Sequence, residues 1–156
     1  MRRHDALRDI LFDILKQCGI FVTVVKEQII PLAAPSLTAP RLDVVASGGP
    51  GGDLLLDVTV ATPSAPAGLR AGAASQSGVA ARVLETVKRR KYPGASVTPF
   101  AVEAYGRLGE SALSVLRALA RKLPQDERGP YLAKIHQTLS ATLQRHNARN
   151  VILAQA

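Results

Sequence analysis

Two aspartates stand out because each interrupts an aliphatic stretch that suits a protein core. Asp43 lies in "RLDVVAS" and Asp57 lies in "LLLDVTVAT", with the glycine-rich turn "GGPGGD" between them. If these segments are adjacent antiparallel strands, the two carboxylates lie near each other at one end of the sheet. Buried carboxylates need a cation or hydrogen bonds as compensation, and Mg²⁺ is often held by one or two carboxylates. The pair predicts a divalent-cation site; the alternative is solvated or capping residues at strand ends.

Positive charge that suits a phosphate-cleaving site follows one loop later, in "ETVKRRKY". Glu85 and Lys88 are three residues apart and share one face of the predicted helix. A basic group beside a metal positions a water molecule and offsets the charge that develops on a phosphate. The same cluster also fits a solvated basic helix end, a phosphate-contacting patch or an import signal.

The charge balance points to an anionic partner. Of 156 residues, 20 are Lys or Arg and 12 are Asp or Glu, which gives a formal net charge of +8. This excess is typical of nucleic-acid binding, although a basic surface without such a partner has the same composition. The single cysteine, Cys18, excludes an internal disulfide and suits a reducing compartment.

The N-terminal stretch is interrupted by acids, unlike a signal peptide. No apolar run approaches the length of a membrane span. We therefore expect an intracellular protein without membrane association, nuclear or nucleoid-associated if its substrate is DNA.

The apolar pattern predicts the elements that must position these groups. Apolar spacings of three and four residues predict helices, and β-branched or aliphatic runs between turn signals predict strands. The predicted elements are a helix from Asp5 to Gln17, strands within 20–32, 41–47 and 54–62, a helix at 79–92, a strand at 97–105, and helices from about Glu110 to Lys122 and Glu127 to Asn147. The order is αβββαβ with a helical tail.

Less regular segments connect these elements. Residues 33–40 are predicted as a loop, and residues 63–78, which are small, polar and proline-containing, as a flexible loop rather than a packed element. Asp53 follows "GPGG" and is interpreted as a turn-forming residue outside the site. No repeat or second domain is evident, so residues 1–156 are predicted to form a single domain.

Together these segments resemble the PD-(D/E)XK nuclease superfamily, and more narrowly the restriction-enzyme-like endonuclease domain of site-specific non-LTR retrotransposons. The matching segments span about residues 2–107 and are, in order, "RRHDALRDIL", "GIFVTVVKE", "RLDVV", "LLLDVTV", "ETVKRRKY" and "TPFAVEAYG". The resemblance implies an α/β (α+β) fold with a restriction-endonuclease-like αβββαβ core, a mixed central sheet flanked by helices, and a C-terminal helical extension at about 108–156. The order derived from the apolar pattern agrees with it.

The resemblance also implies catalytic roles. Asp43 matches the acid of the family's proline-aspartate motif, and Asp57 matches the first residue of its (D/E)XK motif. Thr59 stands where the superfamily has its motif lysine. The retrotransposon branch shares this replacement and takes its lysine from the next helix, which implies Lys88, with Lys91 as the second choice.

Three further residues are candidates near the metal. Glu27 ends the first strand where related domains often carry an acid, so it is an outer metal ligand or a solvated strand-end residue. His4 and Asp5 match the family's opening pattern in "RRHD". Asp5 is a candidate acid near the metals or a helix cap, and His4 is expected to contact phosphate or to fix the start of the helix.

These assignments predict a Mg²⁺- or Mn²⁺-dependent endodeoxyribonuclease associated with a mobile genetic element. Asp43 and Asp57 would hold the metal, and Lys88 would orient or deprotonate the attacking water or stabilise the transition state. The side chains predicted to bind the DNA backbone are Arg41, Arg89, Arg90, Lys91 and His4. A homodimer is a further hypothesis, because two active sites are needed to cut both strands together. The competing hypotheses are a catalytically inactive DNA-binding module that keeps the nuclease fold, which Thr59 favours, and a protein-interaction domain.

Overall fold

A four-stranded mixed sheet lies at the centre of the described structure. The computed structural model describes residues 2–29, 41–92 and 95–154. Its elements are α1 (Arg3–Gln17), β1 (Thr23–Ile29), β2 (Arg41–Ser47), β3 (Leu54–Ala61), α2 (Pro66–Arg70), α3 (Val79–Lys91), β4 (Val97–Glu103), α4 (Glu110–Ala120) and α5 (Gln125–Ala154). The predicted αβββαβ order is confirmed, with α2 as an addition between β3 and α3.

The strands lie side by side in the order β1, β2, β3, β4. β1 is antiparallel to β2 along its length, whereas β2 and β3 pair only where Val44–Ala46 lie opposite Leu54–Leu56. β4 runs parallel to β3 as far as Ala61 opposite Glu103. A parallel pair needs a crossover connection, and α3 provides it. The short β2–β3 ladder leaves the sheet split beyond Val44.

Helices cover both faces of the sheet. On one face, Val58 and Phe100 pack with leucines of α1 and with apolar residues of α4 and α5. On the other face, Ala101 packs with Ala80 and Ala81 of α3. Because successive strand residues point to opposite faces, α3 lies across the sheet from α1, α4 and α5. Side chains can therefore reach the split from both faces.

The segment 63–78 differs from its predicted state. It contains α2, in which Gly68 is buried, and α2 packs against α3. The prediction of an unpacked loop is therefore wrong in this part. A proline at the start of a helix costs no hydrogen bond, and Pro66 is at such a position, so the proline that suggested a loop instead begins a helix.

The ends of several elements also differ from the predicted ones. α1 begins at Arg3 rather than Asp5, and α5 runs from Gln125 to Ala154, beyond the predicted limit at Asn147. Asn147 does not end the helix because its amide group is used in tertiary hydrogen bonds. Of the first predicted strand, 23–29 is observed as β1; residues 30–32 and the predicted loop 33–40 lie outside the described residues. Of the helices in the described ranges, none has an apolar stretch long enough to cross a membrane.

Candidate functional site

Asp43 lies where the sheet splits between β2 and β3. Its Oδ2 accepts a hydrogen bond of 2.7 Å from the backbone N–H of Val58. This amide is on β3 beyond the last β2–β3 residue pair, so the carboxylate takes the place of a backbone acceptor at the end of the ladder. The contact brings Asp43 beside the backbone that carries Asp57.

The surroundings of Asp43 favour its ionised form. His4 Nε2 lies 3.1 Å from Asp43 Oδ2, and His4 Nδ1 lies 3.4 Å from Asp5 Oδ1. Burial by itself raises the pKa of Asp43, but the hydrogen bond and charge of His4, with the Val58 N–H, outweigh it and lower the pKa. The same hydrogen bond to Asp43 raises the pKa of His4. Asp57, the residue before Val58, lowers the pKa of Asp43 further.

Asp57 is a buried acid that contacts two side chains, one from α3 and one from the residue that caps the C-terminal end of that helix. Only 3% of Asp57 is exposed. Lys88 Nζ lies 2.6 Å from its Oδ1, and the Tyr92 hydroxyl donates a hydrogen bond of 2.6 Å to its Oδ2. An ion pair and a charge-assisted hydrogen bond offset the cost of removing this carboxylate from water. The interpretation of Asp57 as a solvated strand-end residue is therefore wrong.

Tyr92 is a functional candidate that the sequence did not single out. It follows Lys88 by four residues, so one side of the helix end presents both groups to Asp57. Burial, followed by the hydrogen bond to Asp57, raises the pKa of the Tyr92 hydroxyl. The hydroxyl therefore stays protonated and acts as a donor to Asp57. The four-residue spacing of Lys88 and Tyr92 in "KRRKY" was the sequence signal that could have predicted their shared position.

Two buried glutamates accept hydrogen bonds from the first turns of α3 and α4. Glu103, at the end of β4, accepts a hydrogen bond of 3.3 Å from the N–H of Ala81 in the first turn of α3. Glu85 accepts one of 3.0 Å from the N–H of Ser111 in the first turn of α4. Both helices begin after a glycine, Gly78 and Gly109, which has no side chain to cap them. Glutamates from neighbouring elements supply the missing acceptors, which orients α3 for Asp57.

Glu85 and Lys88, which were predicted to share one face of the helix, have different partners. Glu85 is 2% exposed and points to α4, with Arg89 Nη2 at 3.7 Å from its Oε2. Lys88 instead points to Asp57. Residues three apart on a helix are neighbours but differ by about 60° in direction, and here that difference separates the two side chains.

Glu27 lies on β1 and contacts two arginines. Its carboxylate forms an ion pair with Arg8 and accepts a hydrogen bond of 3.0 Å from Arg41 Nη1. The flanking register pairs place Glu27 opposite Asp43, but its backbone has a φ of 56°. The described contacts of its carboxylate are with these arginines and not with Asp43 or Asp57. Its role as a metal ligand stays a prediction.

The other basic residues that were predicted to bind DNA lie at the C-terminal end of α3. Arg89 donates to the Ser111 hydroxyl, and Arg90 is exposed. Lys91 Nζ lies 3.9 Å from Asp57 Oδ2 and 4.8 Å from the centre of the Tyr92 ring. It is therefore close to Asp57 but farther away than Lys88. Thr59 is half-buried on β3.

Two smaller assignments are borne out. Asp5 Oδ2 accepts a hydrogen bond of 3.1 Å from the N–H of Arg2, so this acid caps the start of α1. Asp53 Oδ1 accepts one of 3.1 Å from the N–H of Gly48 across the β2–β3 turn. Both residues have local structural roles.

The donor set at the split suits a hard divalent cation. In the described residues, no group of three or more His, Cys, Asp or Glu side chains is arranged around a common metal position. Two adjacent carboxylates are nevertheless a sufficient protein contribution where phosphate and water complete the coordination of Mg²⁺. Each carboxylate oxygen has two lone pairs, so Asp57 can accept from Lys88 and Tyr92 and still contact a cation. Asp43 and Asp57 are the residues that would hold it.

No protein-family model matches the chain, and no curated protein matches it in sequence.

Proposed function

We propose that the protein is a PD-(D/E)XK-like endonuclease that hydrolyses phosphodiester bonds of DNA with Mg²⁺ or Mn²⁺. The observation that carries the proposal is the meeting of Asp43, Asp57 and Lys88 at the split between β2 and β3. Two carboxylates and an ammonium group at one place are the groups that metal-assisted phosphate hydrolysis needs. When bound, the cation supplies positive charge that offsets the developing charge on phosphate and acidifies a water molecule.

The side chains around the pair have separate roles in this mechanism. Asp43 and Asp57 hold the cation, and the His4 and Val58 contacts keep Asp43 ionised and fixed. Lys88 orients the attacking water and stabilises negative charge on the scissile phosphate. Tyr92 positions the Asp57 carboxylate through its hydroxyl. Because these contacts exist before substrate binds, little reorganisation is needed during the reaction.

The architecture supports a restriction-endonuclease-like core. The αβββαβ order, the mixed sheet and the two acids on its second and third strands are all compatible with that fold. The net charge of +8 suits a DNA substrate. Association with a mobile genetic element, a homodimer that cuts both strands, and a nuclear or nucleoid location belong to the same proposal.

An inactive DNA-binding module is the second candidate. Both Asp57 oxygens already have partners within the protein, Lys88 and Tyr92, and Thr59 stands in place of the motif lysine. A site whose charges neutralise each other would remain stable after catalysis was lost.

An Asp43→Ala variant separates the two candidates. Labelled duplex DNA is incubated with each protein in Mg²⁺, and cleavage and binding are measured on the same samples. For the enzyme we expect that the variant loses cleavage and retains binding, because Asp43 contacts the metal rather than the DNA backbone. Binding without cleavage by the wild-type protein would favour the inactive module.

A further inference from the structure

The C-terminal third of α5 carries positive charge that has no acidic counterpart nearby in the sequence. Residues 128–156 contain four Lys or Arg residues and no Asp or Glu. Two of the four, Arg145 and Arg149, are exposed near the end of the helix. Their four-residue spacing places them on one side of α5.

Asn147 joins this part of α5 by hydrogen bonds to the first turn of α1 and to the segment after β4. The Asn147 side chain accepts one of 3.0 Å from Arg3 Nη1 and donates one of 2.8 Å to the carbonyl of Ala104. The residue after Arg3 is His4, which contacts Asp43 at 3.1 Å. The first turn of α1 therefore contacts both the end of α5, through Arg3, and the carboxylate pair, through His4.

Arg145 and Arg149 lie on one side of α5, about 160° around the helix from Asn147. Thr138 lines a cavity of about 590 Å³ together with Ile10 and Ile14 of α1. Arg145 follows Thr138 by seven residues, which is two helical turns, so the two share a direction. Arg145 and Arg149 therefore continue the Thr138 side of α5, and Arg2, the N-cap residue of α1, is also exposed.

These arginines differ from the basic residues around β1 and β2, which pair with acids. Arg8 pairs with Asp9 and Glu27, Lys26 pairs with Asp9, and Arg41 pairs with Glu27. Within the described residues, none of the ion pairs involves the four residues that we call the α1–α5 arginine surface: Arg2, Arg3, Arg145 and Arg149. Guanidinium groups without a carboxylate partner attract phosphates and bind them in a forked geometry.

We propose that the α1–α5 arginine surface binds the phosphate backbone of the DNA on the opposite side of the carboxylate pair from α3. Arg90 and Lys91 approach the split from the α3 face, whereas Arg2 and Arg145 belong to the elements of the other face. A backbone that reaches Asp43 and Asp57 is thereby flanked by basic side chains from both faces. The proposal rests on the DNA substrate of the proposed function, but it does not require that hydrolysis occurs.

The test compares two double variants that remove equal charge. Arg145→Gln/Arg149→Gln changes the proposed surface. Lys122→Gln/Lys134→Gln changes two exposed lysines that line the cavity with Asp13, near the other end of α1. The dissociation constant for a fluorescent DNA duplex is measured by anisotropy at several KCl concentrations. We expect the arginine variant to reduce the slope of log affinity against log salt by about 1.8, because each lost phosphate contact contributes about 0.9, and the lysine variant to leave the slope unchanged.

Each outcome separates this inference from the proposed function. Metal-dependent cleavage with an unchanged slope in the arginine variant would overturn the inference and leave the nuclease standing. A reduced slope without cleavage by the wild-type protein would support the inference and reject the hydrolytic activity. If the wild-type protein neither binds nor cleaves DNA, both are wrong.

Two controls address stability and an alternative partner. Arg145 donates a hydrogen bond of 3.1 Å to the Thr142 hydroxyl, so the single variant Arg149→Gln replaces the double variant if thermal unfolding shows a loss of stability; it should reduce the slope by about 0.9. Val151 and Ile152 are exposed beside the arginines, so phosphatidylserine vesicles are tested in parallel. Arginine-dependent vesicle binding with arginine-independent DNA binding would overturn the inference in favour of an anionic membrane.

Discussion

Lys88 of α3 and Asp57 of β3 form an ion pair of 2.6 Å at a point where the sheet is open. The lysine comes from a helix across the sheet face rather than from the strand position of Thr59. Because Tyr92 contacts the other oxygen of the same carboxylate, the helix holds Asp57 from two directions. The position of α3 therefore determines the geometry of the acid.

Removing Lys88 should abolish catalysis and lower stability. Lys88→Met deletes the ammonium group and leaves the buried Asp57 charge without its partner, which we expect to cost about 2 kcal/mol of unfolding free energy. DNA cleavage should fall by about 100-fold or more. Urea unfolding and cleavage rates check the two effects.

Two further variants serve as controls for Lys88. Lys91→Met removes a more exposed ammonium group at 3.9 Å from Asp57 and should retain most activity and stability. The double variant Lys88→Met/Asp57→Asn removes both charges and should recover stability without activity. If Lys91→Met proves to be the inactive single variant, Lys91 rather than Lys88 is the catalytic lysine.

Tyr92→Phe tests the positioning of Asp57. The change removes only the hydroxyl that donates to Asp57 Oδ2, and a hydrogen bond to a charged group contributes about 1.5 to 3 kcal/mol. We expect a loss of about 1.5 kcal/mol in urea unfolding and a decrease of roughly 10-fold in cleavage rate, which corresponds to about 1.4 kcal/mol. Tyr105→Phe is the matched control because Tyr105 is 74% exposed. Equal activity of wild-type protein and Tyr92→Phe would remove Tyr92 from the site.

The contact between His4 and Asp43 predicts a pH-dependent contribution to stability in the metal-free protein. The pKa of His4 is raised from 6.5, so its contribution is complete below that value and is lost as pH rises through the folded-state pKa. The pKa of Asp43 is lowered from 3.8, so its contribution is lost only as pH falls through the lower folded value. The contact should therefore contribute most between these limits.

Unfolding in urea and EDTA at about pH 5.5 and about pH 8.5 measures this effect. The stability difference between wild-type protein and His4→Gln should be larger at the lower pH. His146→Gln provides a control that changes a histidine of α5 outside the contact. A difference that increases toward the higher pH would contradict the assigned direction of the His4 shift.

The hydrogen bond between Glu85 of α3 and the Ser111 N–H of α4 can be tested by a substitution at Gly109. A Cβ atom at Gly109 would overlap Glu85 Oε1, the acceptor for the Ser111 N–H. Gly109→Ala should therefore cost about 1 to 3 kcal/mol, as in other overpacked sites. Gly129→Ala, within α5, meets no atom within 4 Å and should be neutral or stabilising by about 0.5 to 1 kcal/mol. Calorimetry should show a lower unfolding temperature for Gly109→Ala and no decrease for Gly129→Ala. Equal stability of Gly109→Ala and wild-type protein would contradict the close packing of Glu85 against Gly109.

The sequence predicted the helices and strands that depend on the pattern of neighbouring residues. Aliphatic runs identified β2 and β3, and helical spacing identified α1 and α3 with nearly correct ends. The proximity of Asp43 and Asp57 also followed, because the glycine turn made the two strands neighbours. Lys88 came from a family resemblance, and the structure brings it to Asp57.

The missed features depend on contacts between distant parts of the chain. Glu103 and Glu85 resemble ordinary surface acids in the sequence, yet they cap helices that begin after glycines. Tyr92 has meaning only once α3 packs on the sheet and directs its hydroxyl to Asp57. Similarly, Asn147 is a common residue at helix ends, but its contacts with Arg3 and Ala104 lie inside a continuing helix.

The most direct test of the central claim is cleavage of supercoiled plasmid by the purified protein in Mg²⁺, in Mn²⁺ and in EDTA. The wild-type protein is compared with Asp57→Asn, which keeps the shape of the buried side chain, and with Asp13→Asn, which removes an exposed carboxylate outside the site. We predict metal-dependent nicking or linearisation by the wild-type and Asp13→Asn proteins and none by Asp57→Asn. Cleavage that persists in EDTA, or that Asp57→Asn retains, would contradict a metal-dependent nuclease centred on Asp43 and Asp57.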